Sequence, residues 1–296
     1  MSFSVVIPAF NAAPYISRAI ESALAQTITP NDILVIDDGS TDHTADIVRS
    51  YGNAVKLISQ ANQGVSAARN TGVAQTGSDY IAFLDADDFW HAEKSEQQLE
   101  ALTSSPEAAF SYTALRELKS DGSVHGTSFV QPDKLKDLLR ICNPGISPSC
   151  AMIRRTSFQA TGGFNTALRG CEDWDLWIRL LRHGGHCALP QPLTNYQLHP
   201  GSLSSDAALM FTNFLELLHG SLLDGLEGWQ KKLWTRRALS YQCYKAALTA
   251  RASGQRPEEL RYFFRSISVW PSPLWHALRY KSFAVSCAKW IQGHRP

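Results

Sequence analysis

Along the first hundred residues, short apolar runs alternate with segments whose apolar positions recur at helical spacing. Phe3 to Pro8, Ile33 to Asp37, Val55 to Ser59 and Tyr80 to Leu84 read as strands. Segments near Pro14 to Gln26, Asp42 to Tyr51 and Val65 to Gln75 read as helices. In the first helix Ile16, Ala19, Ile20, Ala23 and Leu24 fall on one stripe, with Pro14 in the first turn. Ser40 or Thr41 is placed to cap the second. Such a succession of strands and amphipathic helices predicts an α/β fold, a parallel sheet covered by helices.

Beyond residue 105 the pattern changes. Strands are expected near Ala109 to Tyr112 and Cys150 to Arg154, a hairpin around Asp121-Gly122, and helices near Asp133 to Ile141 and Glu172 to Arg182. Extended segments follow around His186 to Leu189 and Leu193 to His199. From Ala207 the chain reads as helical, with Phe211, Phe214, Leu215, Leu218 and Leu222 on one face and a break at Pro271 to Pro273. The expected organisation is a domain over residues 1–206 and a helical, basic region over 207–296.

Open parallel sheets bind ligands beyond the carboxyl ends of their strands. The polar clusters of this chain fall there: Pro8 to Asn11, Asp37 to Ser40, Asn62 to Gly64 and Asp85 to Asp88. In FLDADDFW, residues 83 to 90, an extended chain would put Asp85 and Asp87 on one side and Asp88 on the other. Crowded carboxylates raise each other's pKa. They therefore suggest a missing cation, a hard divalent ion such as Mg2+ or Mn2+ completed by water and substrate phosphates; the alternative is a solvated acidic turn capping the next helix.

The other clusters are ambiguous singly. DDGSTDHT, residues 37 to 44, suits a strand-to-helix turn as well as a ligand loop. In NQGVSAARN, residues 62 to 70, Arg69 can meet an anion or one of the acids. CEDWDLWIRL, residues 171 to 180, sets three acids in the first turn of a helix, where they also suit its dipole. There Trp174 and Trp177 read as core rather than as a sugar platform, and Asp173 can serve as a general base if it faces the crevice.

Composition narrows the field. With 44% hydrophobic residues over 296 positions, the chain can bury a substantial core. The net charge of +1 hides an asymmetry, because residues 207–296 hold 13 basic and 5 acidic residues while 1–206 hold 15 and 22. KKLWTRRAL and LRYKSFAVSCAKWIQGHRP mix Lys and Arg with aromatics, as an interfacial helix on an anionic membrane does, or as a packed helical subdomain with a solvated basic face does. No recognised nucleic-acid module accompanies this charge, so no nucleic-acid partner is expected. The six cysteines show no zinc spacing and read as reduced thiols, which with the absence of a signal peptide or a spanning apolar run points to a cytoplasmic protein, peripheral on the inner face of the membrane if the tail binds lipid.

Taken in order, PAFNAAPYI, DDGSTDHT, NQGVSAARN, FLDADD and the Glu172-Asp173 pair resemble the family 2 glycosyltransferases over residues 3 to 200. The resemblance implies the GT-A nucleotide-diphospho-sugar transferase fold, a mostly parallel Rossmann-like sheet flanked by helices. It also implies a nucleotide-sugar donor such as a UDP-sugar, Mn2+ or Mg2+, and inversion at the anomeric carbon. By position it puts Pro8, Ala9, Phe10 and Asp38 around the nucleotide base, with Asn62 and Arg69 in the same pocket and Asp37 a weaker candidate. Asp85, with Ala86 beside it, would meet the nucleoside sugar, Asp87 would hold the metal bridging the diphosphate, and Asp173 would be the base. His199 would touch the diphosphate or metal, or be an ordinary structural histidine, and the Pro200-Gly201-Ser202 that follows suggests a loop closing over the donor.

Such a family member would act on a glycan or lipid-linked acceptor, in bacterial surface polysaccharide or lipid-linked glycan synthesis. Two other classes stay open. One is an Asp-dependent phosphatase or phosphotransferase, although Phe89-Trp90 stand where that class has other residues; the second is an inactive nucleotide-sugar-binding assembly partner.

Overall fold

The computed structural model describes residues 1–199, 206–272 and 278–293. The run FSVVIPA forms β1 (Phe3–Ala9), in which every residue is buried. Its buried polar exception, Ser4, bonds Thr76 and Ser78 at 2.8 Å each. On one side β1 pairs in parallel with β2 (Asp32–Asp37), which in turn pairs in parallel with β3 (Lys56–Ser59). On the other side it pairs in parallel with β4 (Tyr80–Phe83). The sheet order therefore reverses at β1, creating the switch point where open α/β sheets take ligands.

The register brings the strand ends together. Ala9 lies opposite Asp37, and β4 stops opposite Val6, so the acids that follow it run alongside the end of β1. Helices α1 (Ile16–Leu24), α2 (Thr44–Arg49) and α3 (Val65–Ala74) fill the crossovers. The stripe of α1 is buried at Ile16, Ala19, Ile20 and Ala23, whereas Leu24, the last helical residue, is exposed. α2 is shorter than its pattern suggests, and neither Ser40 nor Thr41 caps it: Asp42 accepts the Thr44 N–H at 3.0 Å, while Ser40 Oγ accepts the Asn11 N–H. On α3, a Cβ at Gly72 would stand 2.3 Å from Val6 Cγ1; only glycine lets this helix lie so close on β1.

The second half of the sheet mixes directions. β8 (Ala151–Arg154) lies antiparallel between β4 and β6 (Ala108–Leu118). β6 turns through Gly122 into β7 (Val124–Ser128). β9 (Gly185–Gln197) runs parallel to β6 as one strand where two extended segments were expected, and β5 (Phe89–Trp90) pairs antiparallel with its end. The parallel expectation thus holds for β1 to β4 and gives way to a mixed arrangement beyond them. Helices α4 (Lys94–Ser104), α5 (Leu135–Leu139), α6 (Arg155–Thr161) and α7 (Glu172–Leu180) complete this part, with Trp174 and Trp177 in the core.

The chain divides into two compact units, residues 1–136 with 144–200, and residues 137–143 with 201–296. The second is helical: α8 (Ala207–His219), α9 (Gly228–Ala252), α10 (Arg256–Val269) and α11 (Leu278–Gly293). Around α8, Phe211, Phe214 and Leu217 are buried, with Leu222 and Leu223 just after it, whereas Leu215 and Leu218, expected on the same face, are only partly buried; Tyr244, Ala247 and Phe263 form a cluster between α9 and α10. Its basic and aromatic residues interleave on the surface: Trp234 sits under the guanidinium groups of Arg140 (5.1 Å) and Arg237 (5.3 Å), and Trp229 is 72% exposed. Among the described residues no helix is long and apolar enough to cross a membrane, and all six cysteines are free.

Candidate active site

At the end of β1 the chain turns through Asn11 in the left-handed region (φ 48°). Asn11 Oδ1 accepts the Thr41 N–H at 2.8 Å and Thr44 Oγ1 accepts the Ala12 N–H at 2.8 Å, so the loops after β1 and β2 are laced together. Pro8 and Ala9 are buried beneath this lacing, and the Phe10 ring is left 52% exposed at the crevice. Asp37 and Asp38, both buried, act on backbone donors. Asp37 Oδ1 accepts the Ser40 N–H at 3.0 Å. Asp38 accepts the Gln63 N–H (3.0 Å), the Gly64 N–H (2.7 Å) and the Gln60 side-chain amide (2.7 Å). Asp38 therefore shapes the 60–64 loop on which Asn62 stands exposed.

Arg69, buried on α3, links the two acidic motifs. One Nη donates to Asp85 Oδ1 at 2.6 Å and the other to Glu172 Oε1 at 2.9 Å. Burial alone would loosen the guanidinium's hold on its proton, but the Asp85 and then the Glu172 carboxylate more than reverse that, so it stays charged. Of the two partners the sequence left open for Arg69, an anion or an acid, it holds two acids.

Asp173 follows Glu172 at the start of α7, after Cys171 in the left-handed region (φ 64°). It is partly exposed. Burial, and then the Glu172 charge, push its carboxyl up to about 7, opposed by the Trp174 N–H it accepts at 2.6 Å and by Arg69. A carboxyl poised near neutrality and next to an ion pair is suited to take a proton from a hydroxyl.

Residues 85–88 form a turn rather than an extended segment, closed by the Asp88 N–H bonding the Asp85 carbonyl at 3.0 Å. Each acid consequently points its own way. Asp85 faces Arg69, and its N–H donates to Ser149 Oγ at 3.0 Å. Asp87 Oδ2 lies 2.8 Å from His199 Nε2, and the His199 ring stacks on Tyr15 with centroids 5.6 Å apart. Asp88 is fully buried and accepts the Gln197 N–H at 3.2 Å. Burial, then Asp87 and Asp85, hold its carboxyl well above the usual range.

The pair Asp87 and His199 fits a divalent cation. A carboxylate oxygen and an imidazole nitrogen converge there, and burial followed by the Asp85 charge raises Asp87, an uncompensated negative site despite the His199 contact. Among the described residues no group of three or more His, Cys, Asp or Glu is arranged to hold a metal, so most coordination positions would be left to water and substrate oxygens.

Three residues of this site carry no sequence motif. Arg18 donates through one Nη to the Asp87 carbonyl and to Gln197 Oε1, both at 3.1 Å, with its guanidinium 4.2 Å over Phe89. Gln197 bonds Asp88 and Arg18, and Ser149 receives Asp85. Their signal is weak: Tyr15 and Arg18 are three apart at a helix start, which puts them on neighbouring positions of one face. The Pro200 to Ser202 loop lies outside the described residues.

Residues 4–162 match the family model described as glycosyl transferase family 2. The chain is 30% identical to a chondroitin synthase of Pasteurella multocida over 204 residues, 68% of this chain and 21% of that one. It is 32% identical to a chondroitin synthase of Escherichia coli over 199 residues, 66% and 29%. It thus spans less than a third of the length of these synthases. In fold it resembles S. aureus TarS 1-349 in complex with UDP-GlcNAc (TM-score 0.64, 17% identity, 100% of this chain and 93% of that). It also resembles the mannosyltransferase PcManGT of Pyrobaculum calidifontis in complex with GDP-Man and Mn2+ (TM-score 0.61, 17% identity, 99% and 88%). The architecture is that of the GT-A transferases, and with the family model matched over more than half its length the chain belongs to glycosyl transferase family 2.

Proposed function

We propose that this chain is an inverting glycosyltransferase that moves a sugar from a nucleotide-diphosphate donor, a UDP-sugar, to a hydroxyl of a glycan or lipid-linked acceptor. One observation carries this reading: Arg69 joins Asp85 to Glu172, so the donor-side acid and the base-bearing helix meet in one site. Pro8, Ala9 and Phe10, with Asn62 on the loop that Asp38 shapes, line the nucleotide base, and Asp85 with Ala86 meets the nucleoside sugar. The acceptor oxygen attacks the anomeric carbon from the face opposite the nucleotide. Asp173 takes its proton, and the bond to the diphosphate breaks with the electron pair on the leaving oxygen. Asp87 and His199 would hold Mn2+ or Mg2+, which when bound neutralises charge on the diphosphate. Arg69 acts on the donor through Asp85, rather than meeting the diphosphate alone.

The UDP-GlcNAc complex among the fold neighbours supports a UDP-sugar donor, and the chondroitin synthases among the relatives support a polysaccharide acceptor. Transfer of radiolabel from a panel of UDP-sugars, with Mn2+ and with EDTA, tests the reading. Turnover of one donor that stops with EDTA is expected, and a panel without turnover or donor-induced stabilisation would count against it. The exposed Trp229 and the Arg–Trp contacts on the unit of residues 137–143 and 201–296 support peripheral binding to an anionic membrane face, with the 1–206 region catalytic. Flotation with phosphatidylglycerol vesicles should show binding that falls with salt and with Trp229→Ala.

A further inference from the structure

The acidic turn and the end of β9 meet through more than the Asp87–His199 contact. Arg18 reaches from α1 to a backbone carbonyl 69 residues away and a side chain 179 residues away, and one nitrogen donates to both. The carbonyl belongs to Asp87. The side chain belongs to Gln197, whose N–H binds Asp88 and which stands two residues before His199. Gln197 Nε2 also donates to the Lys119 carbonyl at 2.9 Å, fixing the amide so that Oε1 faces Arg18. Phe89 lies under the guanidinium at 4.2 Å and packs against it. The turn that leads into α1 supplies Tyr15, stacked on His199.

We infer that Arg18 and Gln197 are a positioning pair that holds the Asp87 backbone and the His199 segment in one register, and so sets the affinity of the site for a divalent cation. This rests on the reading that Asp87 and His199 bind the ion. Neither Arg18 nor Gln197 needs to touch it. The direct Asp87–His199 contact joins two side chains that can rotate; the Arg18 bridge fixes the main chain beneath one of them and the end of the strand that leads to the other. Loss of a partner that orients metal ligands typically weakens metal affinity about 10- to 100-fold. A purely structural bridge would instead lower the melting temperature and leave the ion's affinity in the folded protein unchanged.

The test is titration of the full chain with Mn2+, alone and with UDP, following the free-ion EPR signal, with thermal melts alongside. Asp87→Asn should abolish binding. Arg18→Ala should weaken Mn2+ about tenfold, and Gln197→Met should do the same. The double variant should bind no more weakly than either single one, because both remove the same bridge. Arg18→Lys, which keeps the charge but cannot repeat the planar fork, should recover part of the loss, and Gln197→Met carries the test if Arg18→Ala fails to fold. Mn2+ affinity within twofold of wild type in folded Arg18→Ala or Gln197→Met would overturn the inference while leaving the Asp87 reading intact. Equal binding by wild type and Asp87→Asn would overturn that reading, and the inference with it.

Discussion

Two strand ends of the same sheet carry clustered acids and use them in opposite ways. At the end of β2, Asp37 and Asp38 are buried and turned onto backbone and amide N–H donors. After β4, Asp85, Asp87 and Asp88 crowd one turn; burial and then Asp85 push Asp87 upward, and burial, then Asp87 and Asp85, push Asp88 upward. Acids saturated with N–H donors build a loop, whereas acids that repel each other mark where charge is to be received. The lesson extends to α7, where Glu172 is neutralised by Arg69 and Asp173 beside it is pushed up to about 7.

The largest effect that sharpens this contrast is expected at Asp173. Asp173→Asn keeps the size of the side chain and removes its basicity, so kcat should fall about 10²- to 10⁴-fold with little change in melting temperature. Steady-state transfer assays with thermal melts check both halves. At Asp38 the pattern should invert. Asp38→Ala removes the buried carboxylate that the Gln60 amide and the Gln63 and Gly64 N–H groups bond, and should cost about 1–3 kcal/mol of stability, measured by urea unfolding. An Asp38→Ala protein that is as stable as wild type would erase the distinction between building acids and working acids.

The smallest effect is expected at Asp88. Because its folded carboxyl is raised, the native state binds the proton more tightly than the unfolded chain does. Wild-type stability should therefore decline as pH rises from the ordinary carboxylate range toward that raised value. Asp88→Asn keeps an oxygen for the Gln197 N–H and carries no charge, so its stability should lack this slope. Urea midpoints from pH 4 to 8 compare the two.

Much of the parallel half of the fold is legible in the chain because buried parallel strands are continuous apolar runs, and β1 to β4 fall where those runs lie. α4 is not legible, since its buried face includes Lys94, Ser95 and Gln98. Gln98 bonds the Ser111 and Cys150 carbonyls, and Lys94 lies 4.1 Å over the Trp90 ring with burial lowering its ammonium to about 7. A polar core of this kind leaves no hydrophobic period to read. In the site, the acids announce themselves by type and place. The different directions of Asp85, Asp87 and Asp88 do not, because the chain turns after Phe83 where strand alternation would have continued. Arg18, Ser149 and Gln197 are ordinary residues in sequence, and only the sheet register and the seating of α1 bring them to the acids.

The central claim is that Asp173 is the base of a sugar transfer that uses the acids after β4. The pH dependence of kcat/KM for transfer from a UDP-sugar tests it most directly. A base with its carboxyl near 7 must be ionised to act, so the rate should be low at acid pH, rise through about pH 7 and level off above it. The residual activity of Asp173→Asn should lack that rise. A wild-type profile flat from pH 5 to 9, or an Asp173→Asn profile that keeps the same rise, would contradict the assignment.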